Sequence, residues 1–343
     1  MCSRRILSRV PELPRIPGFV DAHCHAFQRA LRGRTEGDDF WAWRETMLEL
    51  ARGESPARVR TSYVQVYSEL RAAGYTAVGE FHYLGFEEAR AAAEAAAEAE
   101  IELVLLHVAY ARGGIERFRR DSVAAYLGEL ERLRAGGIRV GVAPHSVRAC
   151  PRDWLEELGR YAAEHDLPLH VHADEQPREI EECLAEHALR PIELLDACGC
   201  LGPRTTIVHA THADGHELDL LAAAGARICA CPTTEANLGD GFLPVERVLQ
   251  RDIELCIGSD SNVRIDPLEE LRELDGIGRR ESGRRDVFAV DELLEVGSAS
   301  GGRALGLDRW PEIAVDVGHP QLAGVGDWRN ALVAGCSSAV LTR

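Results

Sequence analysis

The chain has 343 residues, 45% of them hydrophobic, and a formal net charge of -17. That balance argues against nucleic acid and anionic membrane as partners, and no apolar run is long enough to span a bilayer. All 39 residues counted as Lys or Arg are Arg, which excludes a P-loop lysine, a Schiff base on an internal Lys and a metal pair bridged by a carboxylated Lys.

The N-terminal stretch MCSRRILSRVPELPRIPG is charged and has no apolar core, so no secretory leader is expected. Ten Cys without a leader point to free thiols in a reducing cytoplasm. After the Pro17-Gly18 break, Phe19 to His25 reads as a buried strand on which His23 and His25 share a face and Cys24 points away. DDFWAWRETM reads as a polar, Trp-bearing loop. A helix follows from Pro56 to Ala73, with Ser55 as N-cap and Gly74 at its end, and then the strand YTAVGEFHY.

The alternation continues. Glu87 to Glu100 is helical and IELVLLHVAY is strand; Asp121 to Ala135 is helical and IRVGVAPH is strand; Asp153 to His165 leads to LPLHVHAD. Helices over Gln176 to His187 and Pro191 to Ala197 precede TTIVHA, Asp214 to Ala224 precedes ARICACP, and Pro244 to Gln250 precedes IELCIGSD, the eighth strand. Eight near-continuous apolar strands alternating with helices predict an α/β fold, a (β/α)8 TIM-type barrel over residues 17–300. An open doubly wound sheet is the alternative, but no Gly-rich dinucleotide loop follows the first strand. IAVDV and ALVAGCSSAVLTR read as short strands outside the barrel. With RRILSRV they predict a small, reduced accessory β-sheet from the two termini, residues 1–16 plus 301–343.

In such a barrel, chemistry belongs at the C-terminal ends of the strands. Those ends carry His23 and His25, then His170 and His172 with Glu175 three residues on, then His209, and finally Asp260. Two His from one strand, a third His and an Asp suit Zn²⁺ with a position left for water. His170 lies deeper in its strand and reads as core or as support behind the ligands; His212 lies in a loop; His82, His107, His165, His187, His216 and His319 receive no metal role. Cys198-Gly-Cys200 and Cys229-Ala-Cys231 have the wrong spacing for a zinc knuckle and read as small buried residues.

The segments HCHAFQRAL, FWAWRETM, AGYTAVGEFHY, HSVRA, VHADEQ, VHATHAD, TTEANLGDG and CIGSDSNV together resemble the amidohydrolase superfamily, and within it the branch that deiminates N-formimino-L-glutamate in histidine degradation. The resemblance implies that His23, His25, His172 and Asp260 bind one Zn²⁺ per chain, or another divalent metal. It makes Glu175 a proton shuttle and His209 the residue that orients the water. It also implies that Gln28, Arg44, Tyr83, His145 and Arg148 hold the substrate, and that metal-activated hydroxide attacks the formimino carbon with Asp260 accepting the proton. Cys24 departs from the Ser of known members. The expected partner is a small anionic, amino-acid-derived molecule, to which Arg44 and Arg148 offer bidentate forks despite the negative chain. A homodimer is left open. A related formimino amino acid, or a nucleobase stacked on Phe40, Trp41 and Trp43, is the competing substrate. A zinc-holding scaffold without turnover is the non-enzymatic alternative, and the presence of Glu175 and His209 argues against it.

Overall fold

The computed structural model describes residues 13–342. Its strands are β1 Arg15–Pro17, β2 Phe19–Cys24, β3 Tyr75–His82, β4 Glu102–Ala109, β5 Val140–Pro144, β6 Leu169–Ala173, β7 Thr205–His209, β8 Arg227–Ala230, β9 Leu255–Ile257, β10 Glu312–Val315 and β11 Leu341–Thr342. Strands β2 to β9 pair in sequence order and in parallel, as the alternation predicts. Every residue of β2, β3, β5, β6, β7, β8 and β9 is buried. These strands have helices outside and a packed interior inside, so no face needs polar side chains.

The two edges of the sheet meet at the C-terminal ends of its strands. Cys24 and Asp260 form a parallel bridge, with His25 N donating to Asp260 O at 2.8 Å and Asp260 N to His23 O at 2.9 Å. Closure of the barrel and convergence of the first and eighth strand ends are therefore one event. Asp21, fully buried beneath them, accepts from Ser259 N at 2.9 Å and from Ser259 Oγ at 2.5 Å. No helix among the described residues is long and apolar enough to cross a membrane.

Several predicted elements take another form. DDFWAWRETM is not a loop: a helix runs over Phe40–Arg52, capped by Asp39, whose side chain accepts from Ala42 N at 2.8 Å. Its buried residues, Phe40, Met47, Leu48 and Ala51, recur at helical spacing. A further helix over Pro232–Leu238 follows β8. The tail is mostly helical over Trp328–Gly335, capped by Asp327, so of ALVAGCSSAVLTR only Leu341–Thr342 is strand. The small antiparallel sheet does exist, in the order β1-β10-β11. The segment RRILSRV lies outside the described residues.

Candidate active site

Four donor atoms converge at the mouth of the barrel. His23 Nε2 lies 3.2 Å from His25 Nε2 and 3.0 Å from His172 Nε2. Asp260 Oδ1 is 3.6 Å from His23 Nε2 and 3.3 Å from His25 Nε2. His25 Nδ1 is 3.0 Å from Phe81 O and His172 Nδ1 is 2.9 Å from His145 O. A carbonyl can only accept, so both Nδ1 atoms are protonated and both Nε2 lone pairs face inward. Burial also holds the rings neutral, taking His23 to about 3 and His25 to about 4, with His172 well below the usual range. Neutral nitrogens this close repel unless a cation lies between them. A tetrahedral zinc with bonds of about 2.0–2.1 Å sets its ligands about 3.3–3.4 Å apart, and the four atoms straddle that spacing. The donor set fits a divalent metal.

Beside these atoms lie an acid and an imidazole. Glu175 follows β6, and His209, the last residue of β7, has a left-handed backbone, φ 75°; Asp260, beyond β9, is left-handed too, φ 45°. Such φ values in non-glycine residues are strained and turn both side chains into the mouth. His209 Nε2 is 3.8 Å from Glu175 Oε1 and 3.9 Å from Asp260 Oδ2. Burial raises the pKa of Glu175, against the opposing pull of His209 and Arg148. Burial would also raise Asp260, but His23, His25 and His209 hold it down at about 2. For His209 burial lowers the pKa, yet Glu175, Glu235 and Asp260 carry it up to about 10.

One cavity, with about 450 Å³ of empty space including its opening to solvent, brings these groups together with all five predicted substrate residues. Its lining includes His25, His172, Glu175, His209 and Asp260, and also Gln28, Arg44, Tyr83, His145 and Arg148. Gln28 Nε2 donates to Tyr83 Oη at 2.9 Å. Arg44 sits on the helix Phe40–Arg52 rather than in a loop, and among the described residues it pairs with Glu45 at 3.5 Å. Phe40 and Trp43 line the cavity; Trp41 does not, and packs instead under the Arg178 guanidinium, 4.4 Å from the ring centre. The sequence reading missed Met47 and Tyr110 in the lining, and Glu179 and Glu235 behind it. Met47 lies in the helix that reads as a loop from sequence; Tyr110 ends the segment IELVLLHVAY, just past β4, and is readable as a strand-end residue.

His170 is buried with Nε2 2.9 Å from Ala304 O, in keeping with a core role. Nine cysteines, from Cys24 to Cys336, are buried and free. Cys24 turns away from the donor cluster to Asn262, whose Nδ2 lies 3.3 Å from its sulfur. Cys231, given no role beyond packing, lies with His209 and Glu235.

A closed parallel barrel with three inward imidazoles, a carboxylate, and an acid and a further imidazole facing them defines a metal-dependent hydrolase that acts on C–N bonds. The chain belongs to the amidohydrolase family, whose model matches residues 15–315. It is 38% identical over 328 residues to formimidoylglutamate deiminase of Pseudomonas aeruginosa, covering 85% of this chain and 72% of that protein. It is 29% identical over 310 residues to 5-methylthioadenosine/S-adenosylhomocysteine deaminase of Halobacterium salinarum, covering 85% and 69%. The crystal structure of an adenosine deaminase from Xanthomonas campestris with bound zinc superposes with a TM-score of 0.88 at 22% identity, covering 96% of this chain and 78% of that one.

Proposed function

We propose that this protein hydrolyses N-formimino-L-glutamate to N-formyl-L-glutamate and ammonia, a step of histidine degradation, using one zinc ion per chain. The observation that carries the reading is the cavity in which two guanidinium groups, Arg44 and Arg148, share a lining with Glu175, His209 and Asp260. The 38% identity to formimidoylglutamate deiminase supports it.

His23, His25, His172 and Asp260 would hold the metal, which when bound supplies Lewis acidity that brings the pKa of water to about 7. Asp260, ionised and at the edge of the cluster, accepts the proton that water gives up on attacking the formimino carbon. The His209 imidazolium presents Nε2–H to the oxygen on which charge develops as it adds to that carbon. Glu175, raised by burial, takes the proton that the adduct's hydroxyl gives up as it becomes the formyl oxygen and delivers it to the departing nitrogen, so that ammonia leaves rather than amide ion. Gln28, Tyr83 and His145 orient the chain of the substrate, and the arginines meet its carboxylates.

The aromatic wall of Phe40, Trp43, Tyr83 and Tyr110 favours a second reading, deamination of a purine nucleoside. Ammonia release decides between them, measured on N-formimino derivatives of glutamate, aspartate and glycine beside adenosine and methylthioadenosine. The largest kcat/KM is expected for formiminoglutamate; turnover confined to the nucleosides would overturn the proposal.

A further inference from the structure

The helix Pro232–Leu238 carries a carboxylate that the mechanism above leaves unused. Glu235 is 1% exposed. Its Oε1 accepts from Cys231 N at 2.9 Å and lies 3.2 Å from His209 Nδ1, while Oε2 has no partner among the described residues. The opposite ring nitrogen, His209 Nε2, is the one that faces Glu175 and Asp260. The Cys231 thiol completes a His–Cys–Glu group, but a cation held by His209 Nδ1 would have to displace its hydrogen bond to Oε1, and burial keeps the thiol protonated. The group is better satisfied as a hydrogen-bonded set.

We propose that Glu235 is a positioning residue for His209. By accepting a hydrogen bond from Nδ1–H it fixes the ring plane and leaves Nε2–H as the donor presented to the reacting centre. His209 needs such a partner: its left-handed backbone persists only where its surroundings over-determine it. The carboxylate is in turn anchored through the Cys231 amide rather than by a cation. Gln in its place would keep Oε1 as acceptor, because both donors, Cys231 N and His209 Nδ1, already point at that atom. The inference rests on His209 taking part in the reaction.

Two measurements on the metal-loaded full chain test it. In protein labelled with ¹⁵N-histidine, His209, assigned by its loss in His209→Gln, should show a protected Nδ1–H. That signal should survive in Glu235→Gln and vanish in Glu235→Leu. This arm needs no substrate, so an error in the substrate assignment leaves it intact. With the best substrate of the panel, Glu235→Leu should lower kcat about 10²–10³-fold with KM changed by less than about threefold, and Glu235→Gln should recover at least about tenfold of that loss. A wild-type His209 protonated only at Nε2 overturns the proposal whatever the variants do. Equal losses in Gln and Leu variants, with metal content falling in parallel, overturn it in favour of a purely structural role. If Glu235→Leu does not fold, the wild-type Nδ1–H signal and the Gln variant's retained signal and activity decide.

Discussion

The Arg148 guanidinium lies with Nη2 3.5 Å from Glu175 Oε2, while its Nε is 3.5 Å from Glu179 Oε1. Neither contact counts as a hydrogen bond, and Arg148 Nε and Glu179 Oε1 are both buried without a hydrogen-bonding partner. Arg148 is thus a shared cation, balancing an acid in the cavity and a fully buried one behind it. It keeps unused donors for a third carboxylate. Arg44 differs: its only ion pair among the described residues is with its exposed neighbour Glu45.

That difference separates the two arginines in kinetics. Arg44→Met should raise KM for formiminoglutamate and leave kcat nearly alone. Arg148→Met should damage both, because Glu175 loses its neighbouring cation along with the substrate. Stranding a buried carboxylate costs about 2–5 kcal/mol, and Arg148→Lys, which restores charge without the fork, should recover part of it. Steady-state kinetics on formiminoglutamate and formiminoglycine check this. Undiminished activity in both Met variants would remove the basis of the substrate assignment.

Glu175→Gln keeps the shape of the side chain and removes its proton. Turnover should fall by about 10²–10⁴-fold while metal content stays constant. Loss of metal in this variant would mean that Glu175 belongs to the donor set.

Much of this site was legible because period-two strands put polar residues at predictable ends: His23, His25, His172 and His209 all follow from that rule, and Asp260 stands just past the end of β9. The helix Phe40–Arg52 was missed because its polar start and paired tryptophans resemble loop text, although Asp39 and the 40, 47, 48, 51 spacing were there to be read. Trp328–Gly335 buries only Leu332 and Val333, too little to mark a period against a run of small apolar residues. Glu235 could not be singled out: a Glu inside a helix has the same local pattern whether it faces solvent or a buried imidazole. Only the fold brings β7 beside the turn after β8.

Metal stoichiometry provides a further check. With no Lys in the chain, a carboxylated bridge cannot form, and the second His–Cys–Glu group is occupied by its own hydrogen bonds. Chelator-treated protein titrated with zinc should regain full activity near one equivalent per chain. A requirement for two equivalents would contradict the donor set described here.

Glu80 makes stability depend on pH in a stated direction. It is fully buried between β2 and the helix Pro56–Ala73, accepting from Ala26 N at 3.2 Å and Tyr67 Oη at 3.2 Å. Burial raises its pKa from 4.5 to about 8, against the opposing effect of those hydrogen bonds. The folded chain therefore binds a proton that the unfolded chain has released. The resulting stability is fully present below the unfolded pKa of 4.5 and is lost progressively as pH rises through about 8. Gln is a neutral mimic of the protonated acid, so Glu80→Gln should remove this component. Urea unfolding of the zinc-loaded proteins between about pH 5 and 8 tests it, with each variant compared at equal metal content so that the metal's own pH dependence cancels. Wild type should lose more stability than Glu80→Gln across that window. Parallel curves for the two proteins would show that Glu80 is ionised in the folded state.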